Sequence, residues 1–397
     1  MKIWKYKRLS ECSNFVSERT SNIAIDNYIS TENMIENCGG VKEAAALPDV
    51  KSTSAYKPND ILLSNIRPYF CKIWFADKKG SCSNDVLVVR AKKEVDPKFL
   101  YYVLSDQNFF NWDSMTSKGT KMPRGTPNAI MKYSVPDLPL PTQQKIASIL
   151  SAYDNLIQNY KKQIEALQIA ASELYKEWFV RFRFLGWKNA KFENGIPEGW
   201  KIERLGNLFE ITSSKRVFEE DYVNEGIPFY RSKEIIELSN NQEITTELFI
   251  SNELYAKFKN KFGVPKENDI LITSVGSIGN SYQVRKDDIF YFKDGNLTWI
   301  KSSSKKALSK YLIYWLKSDL GKNTLISSTI GTSQSALTIE KLRAIKILVP
   351  EVNILEKFEQ KISSFDIKIQ ILNKQIANLT QQRDLLLPRL MSGKLEV

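Results

Sequence analysis

A heptad seam that occurs twice constrains this chain more than any other feature. Ile146, Leu150, Tyr153, Ile157, Tyr160, Ile164, Leu167, Ala171, Leu174 and Trp178 follow one another in steps of four and three. Adding 212 to each number gives Phe358, Ile362, Phe365, Ile369, Leu372, Ile376, Leu379, Arg383, Leu386 and Leu390, all apolar except Arg383. Such spacing marks one face of a helix. A stripe this narrow belongs to a coiled-coil seam rather than to the broader face of a helix lying on a globular core.

Neither helix can bury its seam alone, so the two are expected to bury their seams against each other. The chain has to return from the first helix through intervening sequence, which makes the pair antiparallel and leaves a globular domain near each end. The first helix is expected to run to about Val180; about 39 residues at ~1.5 Å per residue make it ~58 Å long. Pro141 suits its first turn, where a missing N–H leaves nothing unsatisfied. Asn353 with Glu356 has capping-box spacing for the second helix, and Pro388 is expected to end that helix near Leu387.

The rest of the chain repeats too. Trp4–Leu9 (WKYKRL) resembles Trp200–Leu205 (WKIERL), the string NDIL stands at 59–62 and 268–271, and FLYYVL (99–104) resembles YLIYWL (311–316). The offset drifts from 196 at the start of the copies to 212 later, so the copies differ by insertions near their beginnings. This gives a globular domain over 1–141, a helix over 142–185, a linker over 186–199, a second globular domain over 200–350, and a second helix with the C-terminal tail over 351–397. Short strands at 85–89, 269–274 and 297–300 mix with short helices at 97–104 and 309–317, an α/β or α+β class. Trp187 and Trp200, beside the linker, are candidates for seating a partner.

Composition removes several chemistries. The chain has no histidine, so Ser-His-Asp triads, Cys-His dyads and HExxH zinc sites are excluded. The four cysteines, Cys12, Cys38, Cys71 and Cys82, form no CxxC pair and read as reduced thiols. There is no P-loop and no GxGxxG. No signal-peptide pattern or spanning apolar run is visible, so the expected location is the cytoplasm. A net charge of +12 over 397 residues points to a polyanion, nucleic acid first.

Base edges are read by Arg, Lys, Asn, Gln and Ser, and phosphates are held by Lys, Arg and backbone N–H groups. In the first domain Asn65, Arg67, Tyr69 and Lys72 follow a strand, and Lys118, Lys121, Arg124 and Asn128 lie in a loop rich in Gly and Pro. In the second domain the matching stretches hold Ser274, Ser277 and Asn280, within a Gly276–Gly279 turn, and Thr332, Ser333 and Gln334. Lys215, Arg216, Tyr230, Arg231 and Lys233 add charge and a stacking face there.

These residues resemble the specificity subunits of type I restriction–modification systems over nearly the whole chain. The resemblance is carried by NDILLSNIRPYFCKIWFAD (59–77), SNDVLVVR (83–90), GTKMPRG (119–125), LPLPTQQKIASILSAYD (138–154), IPEGWK (196–201), IPFYRSKEI (227–235) and LLLPRLMSGKLEV (385–397). It implies two target-recognition domains, each reading one half of a split, asymmetric double-stranded DNA sequence. The helix pair sets the unread spacer and docks methyltransferase subunits. It also implies that catalysis belongs to partners: adenine methylation with S-adenosylmethionine, and cleavage by restriction/translocase subunits with ATP and Mg²⁺. This chain then carries no cofactor, no metal and no catalytic residue.

Two other readings of the residues stay open. Pro48-Asp49 followed by Asp77-Lys78-Lys79 fits the loose pattern of a magnesium-dependent nuclease. Basic domains on a coiled coil also suit an architectural DNA-binding protein with no sequence preference.

Overall fold

A computed structural model describes residues 4–240, 244, 246–302, 306–330 and 335–395. The chain divides into two compact units, Met1–Lys162 with Leu372–Val397, and Gln163–Ile371. Each unit therefore contains part of both long helices, which span Leu140–Tyr175 and Val352–Met391. No helix of the described residues is long and apolar enough to cross a membrane.

The recurring NDIL string builds the centre of both units. Asn59 and Asn268 each take a left-handed conformation at φ 72°, which asparagine tolerates better than most residues. The following aspartates are buried and cap the turn: Asp60 accepts from Lys57 N and Asp269 from Lys266 N, both at 2.9 Å. The chain then enters the central strand of a four-stranded antiparallel sheet. In the first unit this sheet comprises β1 (Ser13–Phe15), β2 (Ile61–Ser64), β3 (Ile73–Phe75) and β4 (Val86–Ala91), in the order β1-β4-β2-β3. In the second it comprises β5 (Glu210–Thr212), β6 (Ile270–Thr273), β7 (Ser281–Gln283) and β8 (Leu297–Lys301), in the order β5-β8-β6-β7. The register is shared: Val86 pairs with Ser64, and Leu297 with Thr273.

Strand alternation divides each central strand between two cores. Ile61 and Leu63 face a core with Phe99, Leu100, Val103 and Leu104, while Leu62 faces a smaller one with Tyr56, Val86 and Val88. Ile270 and Ile272 face Tyr311, Leu312, Trp315 and Leu316, while Leu271 faces Phe290, Phe292 and Trp299. The helices over the first face repeat as well, α1 (Pro97–Ser105) and α2 (Gln107–Thr116) matching α3 (Lys306–Lys317) and α4 (Asp319–Ser327). The units diverge in their second sheets. The first orders strands 19–20, 53–56, 80–82 and 28–29; the second orders 222–223, 249–250, 227–230 and 291–292, and inserts helices Ser232–Ser239 and Asn252–Lys261. This is the region in which the sequence offset drifts.

No seam position of either long helix is exposed. Within the first unit, Ile146 and Leu150 pack in one core with Leu390 and Met391, and Asp154 pairs with Arg383. Within the second, Ala171, Tyr175 and Trp178 share a core with Phe358 and Ile362. Rising numbers on one helix meet falling numbers on the other, so each unit holds its helix segments antiparallel.

Three expectations need correction. Pro388 does not end the second helix, which continues to Met391. One backbone bond is lost there, but Leu390 and Met391 are drawn into the core and Ser392 N bonds Pro388 O at 3.1 Å. Asn353 is not a cap. Strand Lys346–Val349 delivers the chain to Glu351, whose carbonyl receives Ile354 N and Leu355 N at 3.0 and 3.1 Å, so Asn353 already lies in the first turn. The first helix does reach Val180 as expected, its regular α-helix over Leu140–Tyr175 continuing as a π turn over Lys176–Val180. Trp200 is not a surface residue. It is buried among Phe179, Phe182 and Phe184 at ring separations of 6.0, 5.5 and 5.4 Å, whereas Trp187 remains exposed.

Candidate nucleic-acid interface

Beyond β2 the chain turns sharply before returning as β3. Arg67 and Cys71 bracket this turn in left-handed conformations, both at φ 51°. The second unit makes the corresponding turn between β6 and β7 with Gly276 at φ 73° and Gly279 at φ 91°. The fold demands the conformation. Glycine adopts it freely, whereas a side chain makes it strained.

The two stretches singled out in the first domain come together here. Arg67 N donates to Pro123 O at 2.8 Å and Gly125 N to Asn65 O at 3.0 Å. Lys118 and Arg124 exchange two backbone bonds of 2.9 Å, closing a small hairpin that docks on the turn through an Ile66–Arg124 bridge. Lys118, Lys121, Arg124, Asn128 and Tyr69 are exposed. Arg124 is steered by Asp85, its Nη1 lying 2.9 Å from Asp85 Oδ1 while its side chain stays 54% exposed. Lys72 is less free: its ammonium donates to Thr31 O at 3.0 Å and sits over the Phe70 ring. Asn65 is half-buried with an Oδ1 that has no donor, and Arg67 Nε is likewise buried without a partner.

The second unit repeats the docking. Val275 and Ile330 both bridge Ala336, and Leu337 N donates to Ser274 O at 2.9 Å. Thr332, Ser333 and Gln334 lie outside the described residues. Ser277 is exposed, and Asn280 Nδ2 clamps the turn by donating to Ser277 O at 2.8 Å. Ser274 faces inward: it is buried, and its hydroxyl lies 2.6 Å from Thr298 Oγ1, so it presents no group to a ligand.

The other second-unit candidates divide in the same way. Lys215, Arg216 and Lys233 are exposed, with Arg216 held at 2.9 Å by Asp294. Arg231 is committed to the fully buried Glu234 at 2.9 Å, an ion pair that holds Glu234 below the ordinary carboxylate range. Tyr230 stacks on Phe290 at 4.5 Å, and burial pushes its hydroxyl up to about 12. Tyr230 therefore supports the scaffold, whereas Arg231 keeps a side chain that is 41% exposed and an Nε without a partner.

Two carboxylates at the first site escaped the sequence reading. Asp85 follows a Ser-Asn turn and carries no signal of its own. Asp113 had one: it follows Phe109 and Phe110 at helical spacing, which places it on the inward stripe of α2. Asp49 and Asp77, the nuclease candidates, are both exposed, and no group of three or more metal-binding side chains exists among the described residues.

Two copies of one basic α/β unit, each presenting a paired-loop surface and each built on both long helices, define a bipartite DNA-recognition class. The family model for the "Type I restriction modification DNA specificity domain" matches residues 4–168 and again 197–381. The chain belongs to this family, as a specificity subunit. It is 31% identical to the type I restriction enzyme MjaIX specificity subunit of Methanocaldococcus jannaschii, over 77% of this chain and 71% of that protein. It is 26% identical to the MjaVIII specificity subunit of the same organism, over 99% and 93%. The crystal structure of the S subunit from M. genitalium has the same fold, with a TM-score of 0.58 at 19% identity, covering 98% of this chain and 96% of that one.

Proposed function

We propose that each unit reads one half of a split DNA target through its pair of docked loops, and that the chain does no chemistry itself. The observation that carries this reading is the recurrence of one loop architecture with different residues. The bridges 66–124 and 275–336 join equivalent points, yet Asn65, Arg67 and Lys72 stand where the other unit has Ser274, Gly276 and Asn280. A shared scaffold with exchanged side chains is what two different half-sites require.

Lys121, Arg124 and Arg67 are the strongest candidates in the first unit, and Lys215, Arg216, Ser277 and Asn280 in the second. The long helices set the unread spacer and carry the methyltransferase subunits. Restriction/translocase subunits complete the assembly. S-adenosylmethionine, ATP and Mg²⁺ act on those partners, and the chain works in the cytoplasm.

The test is methylation profiling of a host expressing the assembled complex, with and without Lys121→Ala/Arg124→Ala. The expected result is a split adenine-methylated motif in which these substitutions relax or weaken one half alone. A single uninterrupted motif, or loss spread evenly over both halves, would contradict the assignment. Binding should also weaken steeply with salt through counterion release.

A further inference from the structure

Asp113 is fully exposed to neither water nor a partner: it is 0% accessible, and neither carboxyl oxygen has a hydrogen-bond donor. It lies beneath the junction of the two reading loops. A Cβ on Gly125 would stand 2.5 Å from Asp113 Oδ1, 2.9 Å from Asn65 Oδ1 and 3.1 Å from Asp113 Oδ2. The second loop thus passes through a glycine because two acceptor groups crowd it from below, and Asn65 Oδ1 is one of the acceptors left without a donor. Acceptors crowded about one buried point, with no donor between them, are costly. A single proton on the carboxyl supplies the missing donor, satisfying Asn65 Oδ1 and one of the two Asp113 oxygens.

We propose that Asp113 is carried as the neutral acid, donates its proton to Asn65 Oδ1, and so positions the base of the first unit's DNA-reading surface, making that half of the target pH-sensitive. The proposal rests on the reading of these loops as the DNA surface.

Burial alone raises the carboxyl to about 7. The charged groups on the surrounding elements are Arg67 and Lys72 on the first loop, Lys118, Lys121 and Arg124 on the second, Asp85 beside them, Lys132 beyond the turn at 127–130, and Asp106 at the head of α2; none of them contributes to the shift. The second unit has Leu325 at the matching position of α4, buried and 3.4 Å from the Cβ position of Gly279, so it has no such proton. With no histidine in the chain, few groups change charge near neutral pH. Ionisation of Asp113 removes the donor from Asn65 and places a negative charge under a surface that must meet phosphates.

The experiment has two readouts. In the full chain labelled with carboxyl-¹³C aspartate, the resonance missing from Asp113→Asn should titrate near pH 7; a midpoint below pH 5 overturns the proposal whatever the DNA does. In the assembled complex with methyltransferase subunits, affinity for target duplex should fall ~10-fold between pH 6 and 8. Asp113→Asn, whose amide can donate to Asn65, should remove that fall while keeping the low-pH affinity. Asn65→Ala, which removes the bond but leaves the charge, should make the fall smaller without abolishing it. A near-neutral midpoint with a pH-dependence unchanged in both variants overturns the positioning role. If Lys121→Ala and Arg124→Ala leave affinity unmoved as well, the reading of the loops as the DNA surface fails, separately from the protonation of Asp113.

Discussion

The two units solve the same structural problems with different residues, and the differences fall where function and stability trade. Asp154 and Asp366 stand 212 apart on the two long helices, and each needs a cation. In the second unit Lys310 supplies it, 2.7 Å from Asp366. Its counterpart in the first unit, Lys98, turns away: its ammonium lies 4.3 Å from the centre of the Phe75 ring and 4.8 Å from that of Tyr101, and burial lowers its pKa. Asp154 is met instead by Arg383 at 2.9 Å and by the Tyr102 hydroxyl at 2.6 Å. The one polar residue of the seams is therefore the replacement for a lysine engaged elsewhere. The second unit has Ala171 at the equivalent seam position, buried in a core with Tyr175 and Phe358.

The sharpest break between the units is Asp113 against Leu325. Because the folded-state pKa of Asp113 is raised from 3.8 to about 7, the folded chain holds this proton where the unfolded chain has released it. Stability of the first unit should therefore fall as pH rises from about 4 to about 7, and stay level above that. Asp113→Asn should remove the slope, gaining ~1.5 kcal/mol at pH 5 and ~4 kcal/mol at pH 8. Leu325→Asp should install the same slope in the second unit. Urea unfolding, with hydrogen exchange of strands β2 and β6 assigning each transition, measures both; equal slopes before and after substitution would contradict the assignment.

Arg383 gives the next effect. Arg383→Ala leaves Asp154 half-buried without its cation and should cost about 3 kcal/mol in the first unit. The double change Arg383→Leu with Asp154→Leu should recover most of it, since well-packed apolar residues replace a partly buried ion pair with little loss. Recovery would show that the pair is a local solution to the loss of Lys98. Failure to recover would show that Tyr102, left without its acceptor, carries the larger share.

How much of this was legible beforehand follows the physics of each feature. The helices, their antiparallel pairing and the repetition of the scaffold were readable, because periodicity and recurrence survive in residue order alone. The docking of 65–67 on 118–125 was only half readable: composition marked both loops as basic, but their meeting depends on backbone bonds such as Arg67 N to Pro123 O, which carry no side-chain signature. Ser274 and Tyr230 have the chemistry of contact residues, yet they are turned inward by Thr298 and Phe290. Residue type cannot distinguish a polar group that faces a ligand from one that satisfies a neighbour.

The smallest predicted effect is the most informative about reading. Arg67 is held left-handed immediately before a proline, where Gly276 meets the same demand without a Cβ. Strain of this kind persists where the side chain has a use, and the unpartnered Nε of Arg67 is consistent with a group awaiting a ligand. Arg67→Gly should therefore stabilise the first unit by ~1 kcal/mol while weakening its half-site ~10-fold, the scale of one lost base contact. Denaturation and binding measured on the same variant should move in opposite directions. If both rise, Arg67 is only a strained relic of the loop; if both fall, the guanidinium holds the turn together, and the surface read by this unit must be sought in Lys121 and Arg124 alone.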